Sequence, residues 1–116
     1  KLWLSTTGPA DLVGQRYFEI FSTGTTLCIC NRLDGDAYSS LGIVEHQHVL
    51  MFSSVDEFVE LVVNYTQSEL YEPRRRAMVR NAYWLALNHT WRRQAEIVEG
   101  VLSEQARRCA GRTVER

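Results

Sequence analysis

The segment Gly14–Gly24, GQRYFEIFSTG, constrains this chain most, because it lies between two short runs of β character, Leu2–Ser5 and Thr26–Asn31. A glycine-led turn, a short amphipathic helix with one acidic residue on its face, a second glycine and an apolar strand make a βαβ unit. In such a unit the loop and helix start sit at the carboxyl end of the first strand, where open α/β sheets bind ligands. Glu19 then has two readings: a ligand-binding carboxylate, or an ordinary polar face residue.

The rest of the chain extends this unit. Thr6-Thr7-Gly8-Pro9 ends the first strand with turn chemistry. From about Ala10 to Thr23 the periodicity predicts a helix with Leu12, Tyr17, Phe18 and Phe21 on one broad apolar face, and Gly24 closes it as the C′ glycine. TLCICN is nearly continuous in apolar and β-branched residues, as in a strand covered on both faces. Cys28 and Cys30, two apart, share one face of it as small buried groups. Arg32–Leu41 reads as loop or a short helical turn, and His48–Phe52 as a third strand. Ser54 and Glu57 form a capping box before a helix whose buried stripe is Phe58, Leu61, Val62 and Tyr65. Pro73 suits the first turn of the next helix, which carries Met78, Ala82 and Leu85 inward. His89-Thr90 breaks that helix. Thr90 then caps a last helix, expected to bury Trp91, Ala95, Val98 and Leu102 and to fray near Gly111. The order β-α-β-loop-β-α-α-α predicts an α/β fold: a small parallel Rossmann-like sheet backed by helices, with a C-terminal helical tail. Residues 1–105 are expected to form the domain and residues 106–116 the frayed tail.

Composition narrows the function classes. The 116 residues suffice for one core, and a 45% hydrophobic content with five Tyr, four Phe and three Trp argues for a packed globule rather than disorder. No run of about 18 apolar residues occurs, so no membrane span is expected. The opening KLWLST lacks Met and a charged leader before an apolar stretch, which predicts no signal peptide and a piece of a longer protein. Residues 1–70 hold three basic and nine acidic side chains, residues 71–116 ten and five. The arginine-rich half could attract phosphates or nucleic acid. Solvated helical faces with Arg/Glu pairing account for it better, Arg74-Arg75-Arg76 among them, and a pI near 6.3 without a basic stripe argues against nucleic acid. Three cysteines suit a reducing, cytoplasmic compartment. The sequons at Asn64 and Asn88 would matter only in a secreted chain. Neither the Cys28/Cys30 pair nor His46, His48 and His89 show metal-ligand spacing, so no metal is expected.

Four elements in order resemble the carboxyl-terminal, donor-binding part of GT-B-fold glycosyltransferases, particularly the CgeB-like group of the glycosyl transferases group 1 family. They are Gly14–Gly24 with the TLCIC strand; EHQHVLMF over Glu45–Phe52; SVDEF over Ser54–Phe58; and the step His89-Thr90-Trp91 followed by Arg92-Arg93. The resemblance covers about Lys1 to Leu102. In the wider family two acids lie eight positions apart with a glycine three after the first, and Asp11, Gly14 and Glu19 reproduce that spacing.

The resemblance implies a nucleotide diphosphate sugar as donor, with no further cofactor. Glu19 would hold the ribose, Asp11 would face the donor sugar, and Gly14, Gln15 and Arg16 would meet the diphosphate. The chemistry is consistent: backbone N–H groups at a helix start bind phosphates, and glycine permits close approach. Plain readings stand beside these roles. Asp11 suits a first helical turn through the helix dipole alone, Arg16 could simply pair with Asp11 or Glu19, and Trp84 and Trp91 read as core. The expected partners are the nucleotide sugar and a missing acceptor-domain half or another protein chain. The alternative function is a non-catalytic α/β interaction module, since a truncated unit exposes sheet edge and apolar surface.

Overall fold

The computed structural model describes residues 1–114. It contains β1 (Leu2–Ser5), α1 (Gln15–Ser22), β2 (Leu27–Asn31), β3 (Val49–Phe52), α2 (Val55–Gln67), α3 (Glu72–Leu87) and α4 (Trp91–Val114), with 3₁₀ turns at Ser39–Leu41 and Glu69–Tyr71. The three strands form one parallel sheet in the order β1-β2-β3. The chain thus adopts the expected α/β fold, a small parallel sheet backed by helices and followed by a C-terminal helix.

The central strand explains the architecture. Leu27, Cys28, Ile29 and Cys30 are all buried, so both faces of β2 need a cover. Cys28 and Cys30 join Val49 and Met51 beneath α1, where Tyr17, Ile20 and Phe21 pack, while Leu27, Ile29 and Leu50 face Tyr65 of α2. Helix α3 serves both layers: Met78 and Val79 belong to the second cluster, Ala82 and Ala86 to the first. It runs past the amino ends of the strands, where Arg75 donates to the Thr25 carbonyl at 3.0 Å and Asn81 to that of Gln47 at 3.0 Å.

Two junctions follow the sequence closely. Ser54 Oγ accepts from Glu57 N at 3.2 Å, and the Glu57 carboxylate reaches back to Ser53 N at 3.4 Å, one residue beyond the usual reciprocal bond of a capping box. Gly24 ends α1 at φ +65°. A Cβ there would stand 3.5 Å from the Tyr83 ring, an ordinary contact, so the cost of Gly24→Ala is conformational. We expect a loss of about 1–2 kcal/mol in denaturant unfolding; a neutral result would mean that the α1–β2 turn relaxes out of the left-handed region.

Three expectations need correction. First, the helix begins at Gln15, not near Ala10: Gly8 lies at φ +69° and Asp11 at φ +52°, a turn closed by Asp11 N on the Gly8 carbonyl at 3.3 Å. A positive φ cannot be carried inside a right-handed helix. Leu12, assigned to its apolar face, is accordingly 69% exposed. Second, α4 does not bury Trp91, Ala95, Val98 and Leu102; all four are exposed, as is Trp84 of α3. Amphipathic spacing says that a face needs a cover, not that this chain supplies one. Third, the helical backbone of α4 runs past Gly111 to Val114, with pairs at helical spacing such as Glu104 with Arg107 and Arg108. The last two residues of the expected tail lie outside the described residues. Helix α4 projects from the sheet: the radius of gyration is 18.9 Å, against about 13 Å for a compact domain of this length.

Two arginine clasps tie the periphery together. Arg32, just after β2, bonds Glu45 at 2.9 Å, Glu57 at 2.9 Å and Ser53 at 2.6 Å. Arg75 grips Glu72 through two bonds of 2.8 and 2.9 Å, so it is not the solvated residue its triple-arginine setting suggests. The guanidinium of Arg32 holds the Glu57 carboxyl below its usual range, and that of Arg75 holds Glu72 down to about 2 from 4.5. Both folded values lie below the unfolded ones, so their contribution is complete above about pH 4.5 and is lost as pH falls toward 2. Melting temperature should therefore be flat from pH 7 to 5 and decline below that. In Arg75→Gln the decline should be shallower; an unchanged slope would remove Glu72 as a cause.

Candidate functional site

The site begins at the carboxyl ends of β1 and β2. Tyr17, buried in α1, donates its hydroxyl to the Ser5 carbonyl at 3.3 Å and lies 3.0 Å from the Tyr38 hydroxyl, which donates to the Asn31 carbonyl at 2.7 Å. Burial pushes the Tyr17 phenol up to about 12 and raises that of Tyr38, so both stay protonated donors. The loop after β1 is pinned by a reciprocal pair: Thr7 N donates to Asn31 Oδ1 at 3.0 Å, and Asn31 Nδ2 to Thr7 Oγ1 at 2.9 Å. These bonds set where the chain re-enters α1. Thr7, Asn31 and Tyr38 were not singled out in the sequence, where nothing links three polar residues so far apart.

At Gly14 the chain enters α1 with φ −80° and ψ 172°, and no side chain caps the helix. A Cβ on Gly14 would meet no atom of the described residues within 4 Å. Neither backbone angle nor packing within the chain demands glycine here, and the space beside it is open. From this point a groove of about 540 Å³ runs along the outer side of α1, lined there by Gly14, Gln15, Phe18, Glu19 and Ser22. Those positions fall on one helical face, opposite the one that buries Tyr17, Ile20 and Phe21. Across the groove stand Ala86, His89, Thr90, Trp91 and Gln94 from the end of α3 and the start of α4. His89 packs against Phe18 with ring centroids 4.8 Å apart.

The structure thus brings Gly14, Gln15 and Glu19 together and leaves out two other candidates. Asp11 sits in the Gly8–Asp11 turn, exposed and outside the groove lining, so it is not the first-turn acid of a helix. Arg16 is exposed and also outside the lining. It pairs with neither Asp11 nor Glu19, and the Glu19 side chain makes no hydrogen bond or ion pair among the described residues. Trp91 and Gln94 lie on the groove although the sequence points to a core position for the first and says nothing of the second. Only the closeness of the His89-Thr90 break to α1 in space reveals them.

The remaining polar groups are elsewhere. His48 Nδ1 accepts from Val44 N at 3.0 Å, and burial lowers its pKa, so it is a neutral turn residue. Among the described residues no group of three or more His, Cys, Asp or Glu side chains is placed to hold a metal ion. No described helix is long and apolar enough to cross a membrane. An uncapped helix start at the carboxyl edge of a parallel sheet, with an unpaired carboxylate one turn further on, can bind an anion and a polyhydroxyl group side by side. No family model matches the chain, and comparison with curated proteins and with solved structures finds no match.

Proposed function

We propose that this chain is the donor-nucleotide-binding part of a glycosyltransferase that moves a sugar from a nucleotide diphosphate to an acceptor. The observation that carries the reading is the sharing of one groove by the open start of α1 at Gly14 and the unpaired carboxylate of Glu19. The free amides of Gly14, Gln15 and Arg16 receive the diphosphate, and the Arg16 guanidinium adds charge at its solvent side. Glu19, one turn further, accepts from the ribose hydroxyls. Asp11 reaches the donor sugar only if the loop after β1 moves on binding. Transfer takes place when an acceptor-binding half, on another domain or chain, closes over this edge; the leaving diphosphate is then stabilised by amides and a cation, without a metal. The unit alone binds donor and does not turn it over. Its buried thiols at Cys28 and Cys30 suit a cytoplasmic setting.

A two-dimensional amide NMR titration with UDP, GDP and ADP tests this. Saturable shifts at Gly14–Glu19 with one of the three support a donor site and identify the base. A dispersed spectrum that no nucleotide changes would sink it. A second reading, a non-catalytic interaction module, is favoured by one observation: the uncovered apolar side of α4, with Val98, Val101 and Leu102 exposed. Such a module leaves the same spectrum unmoved by nucleotides.

A further inference from the structure

The groove has two walls, and Gly14 and Glu19 both lie on one of them. The second wall is the turn from α3 into α4, and its residues have chemistry of their own. Trp91 opens α4 and is 81% exposed. It makes no ring contact with another aromatic side chain among the described residues, whereas the neighbouring His89 is already occupied by Phe18. A bare indole beside an unpaired carboxylate is a stacking platform for a planar ring. Between the walls the floor is apolar, formed by Phe18, Leu41 and Ala86.

Gln15 lies on the α1 side and Gln94 on the α4 side, and neither side-chain amide has a hydrogen-bond partner among the described residues. Each offers a donor and an acceptor together, the pattern on the edges of nucleobases. A groove of about 540 Å³ also has the size of a small-molecule site. We infer that Trp91, Gln94 and Gln15 form the base subsite of the donor nucleotide: the base stacks on the Trp91 indole, and the two amides read its edge while Glu19 holds the ribose. This rests on the donor-site reading, and it assigns the α3–α4 turn a binding role rather than a structural one.

The test uses the 116-residue chain with Trp3 and Trp84 changed to Phe, so that Trp91 is the sole indole, titrated with UDP, GDP, ADP and inorganic pyrophosphate. One nucleoside diphosphate should change Trp91 emission saturably, and pyrophosphate should not. In the otherwise natural chain, Trp91→Ala should weaken that diphosphate about tenfold or more, Trp91→Phe should restore most of the affinity, and melting should be unaltered. If Glu19→Ala weakens the nucleotide but Trp91→Ala does not, the base lies elsewhere and the donor reading stands without this subsite. If no nucleotide binds, both fail.

Discussion

Replacing Phe21 by alanine should destabilise the domain by about 3–5 kcal/mol, the range for deleting a fully enclosed aromatic side chain. Phe21 is 1% exposed, joins the cluster between α1 and the sheet, and meets Phe18 edge-on at 5.5 Å between centroids. The cavity would open against β2 and β3, whose parallel pairing gives the wall little freedom to collapse. Phe18→Ala should cost less, because one side of that ring lies on the groove. A denaturant melt of both variants checks the order. Equal losses would mean that α1 is rotated about its axis relative to the arrangement described.

Replacing Glu19 by alanine should weaken nucleoside diphosphate binding by about 1.5–3 kcal/mol, the range for hydrogen bonds to a charged group. Stability should be almost unchanged, since the carboxylate has no partner among the described residues. Glu19→Gln should fall between, because an amide oxygen still accepts from a hydroxyl but carries no charge. Calorimetric titration with the nucleotide identified by NMR gives both numbers. An affinity indifferent to Glu19→Ala would move the ribose away from α1 and undo the residue assignment, even if a nucleotide binds.

Much of the fold was readable in the sequence because its strongest signals are local. TLCIC is typical of a covered strand, Ser54 with Glu57 marks a helix start, and Thr90 caps the last helix, its Oγ1 accepting from Arg93 N at 3.1 Å. The misses are non-local or conformational. Nothing in the letters around Asp11 announces a left-handed turn. The exposure of Trp91 depends on which surfaces the chain contains, a quantity absent from any periodicity. The groove was half legible: Gly14 and Glu19 share a helix face at a fixed spacing, so the sequence could pair them. Gln94 and Trp91 arrive from more than seventy positions away, and Thr7, Asn31 and Tyr38 meet only because parallel pairing aligns the ends of β1 and β2.

The projecting α4 bears on how the molecule should be regarded energetically. Cooperativity requires that elements share buried surface, and this helix shares almost none with the sheet. Most helical stability in proteins comes from packing an amphipathic face, so the chain is better described as two thermodynamic units than one: a cooperative α/β body and an appended segment whose helicity is only weakly coupled to it. A partner that covers its apolar side would couple this helix to the partner rather than to the body. The amount of helix would then become a measure of association, and the body's own stability would stay unchanged.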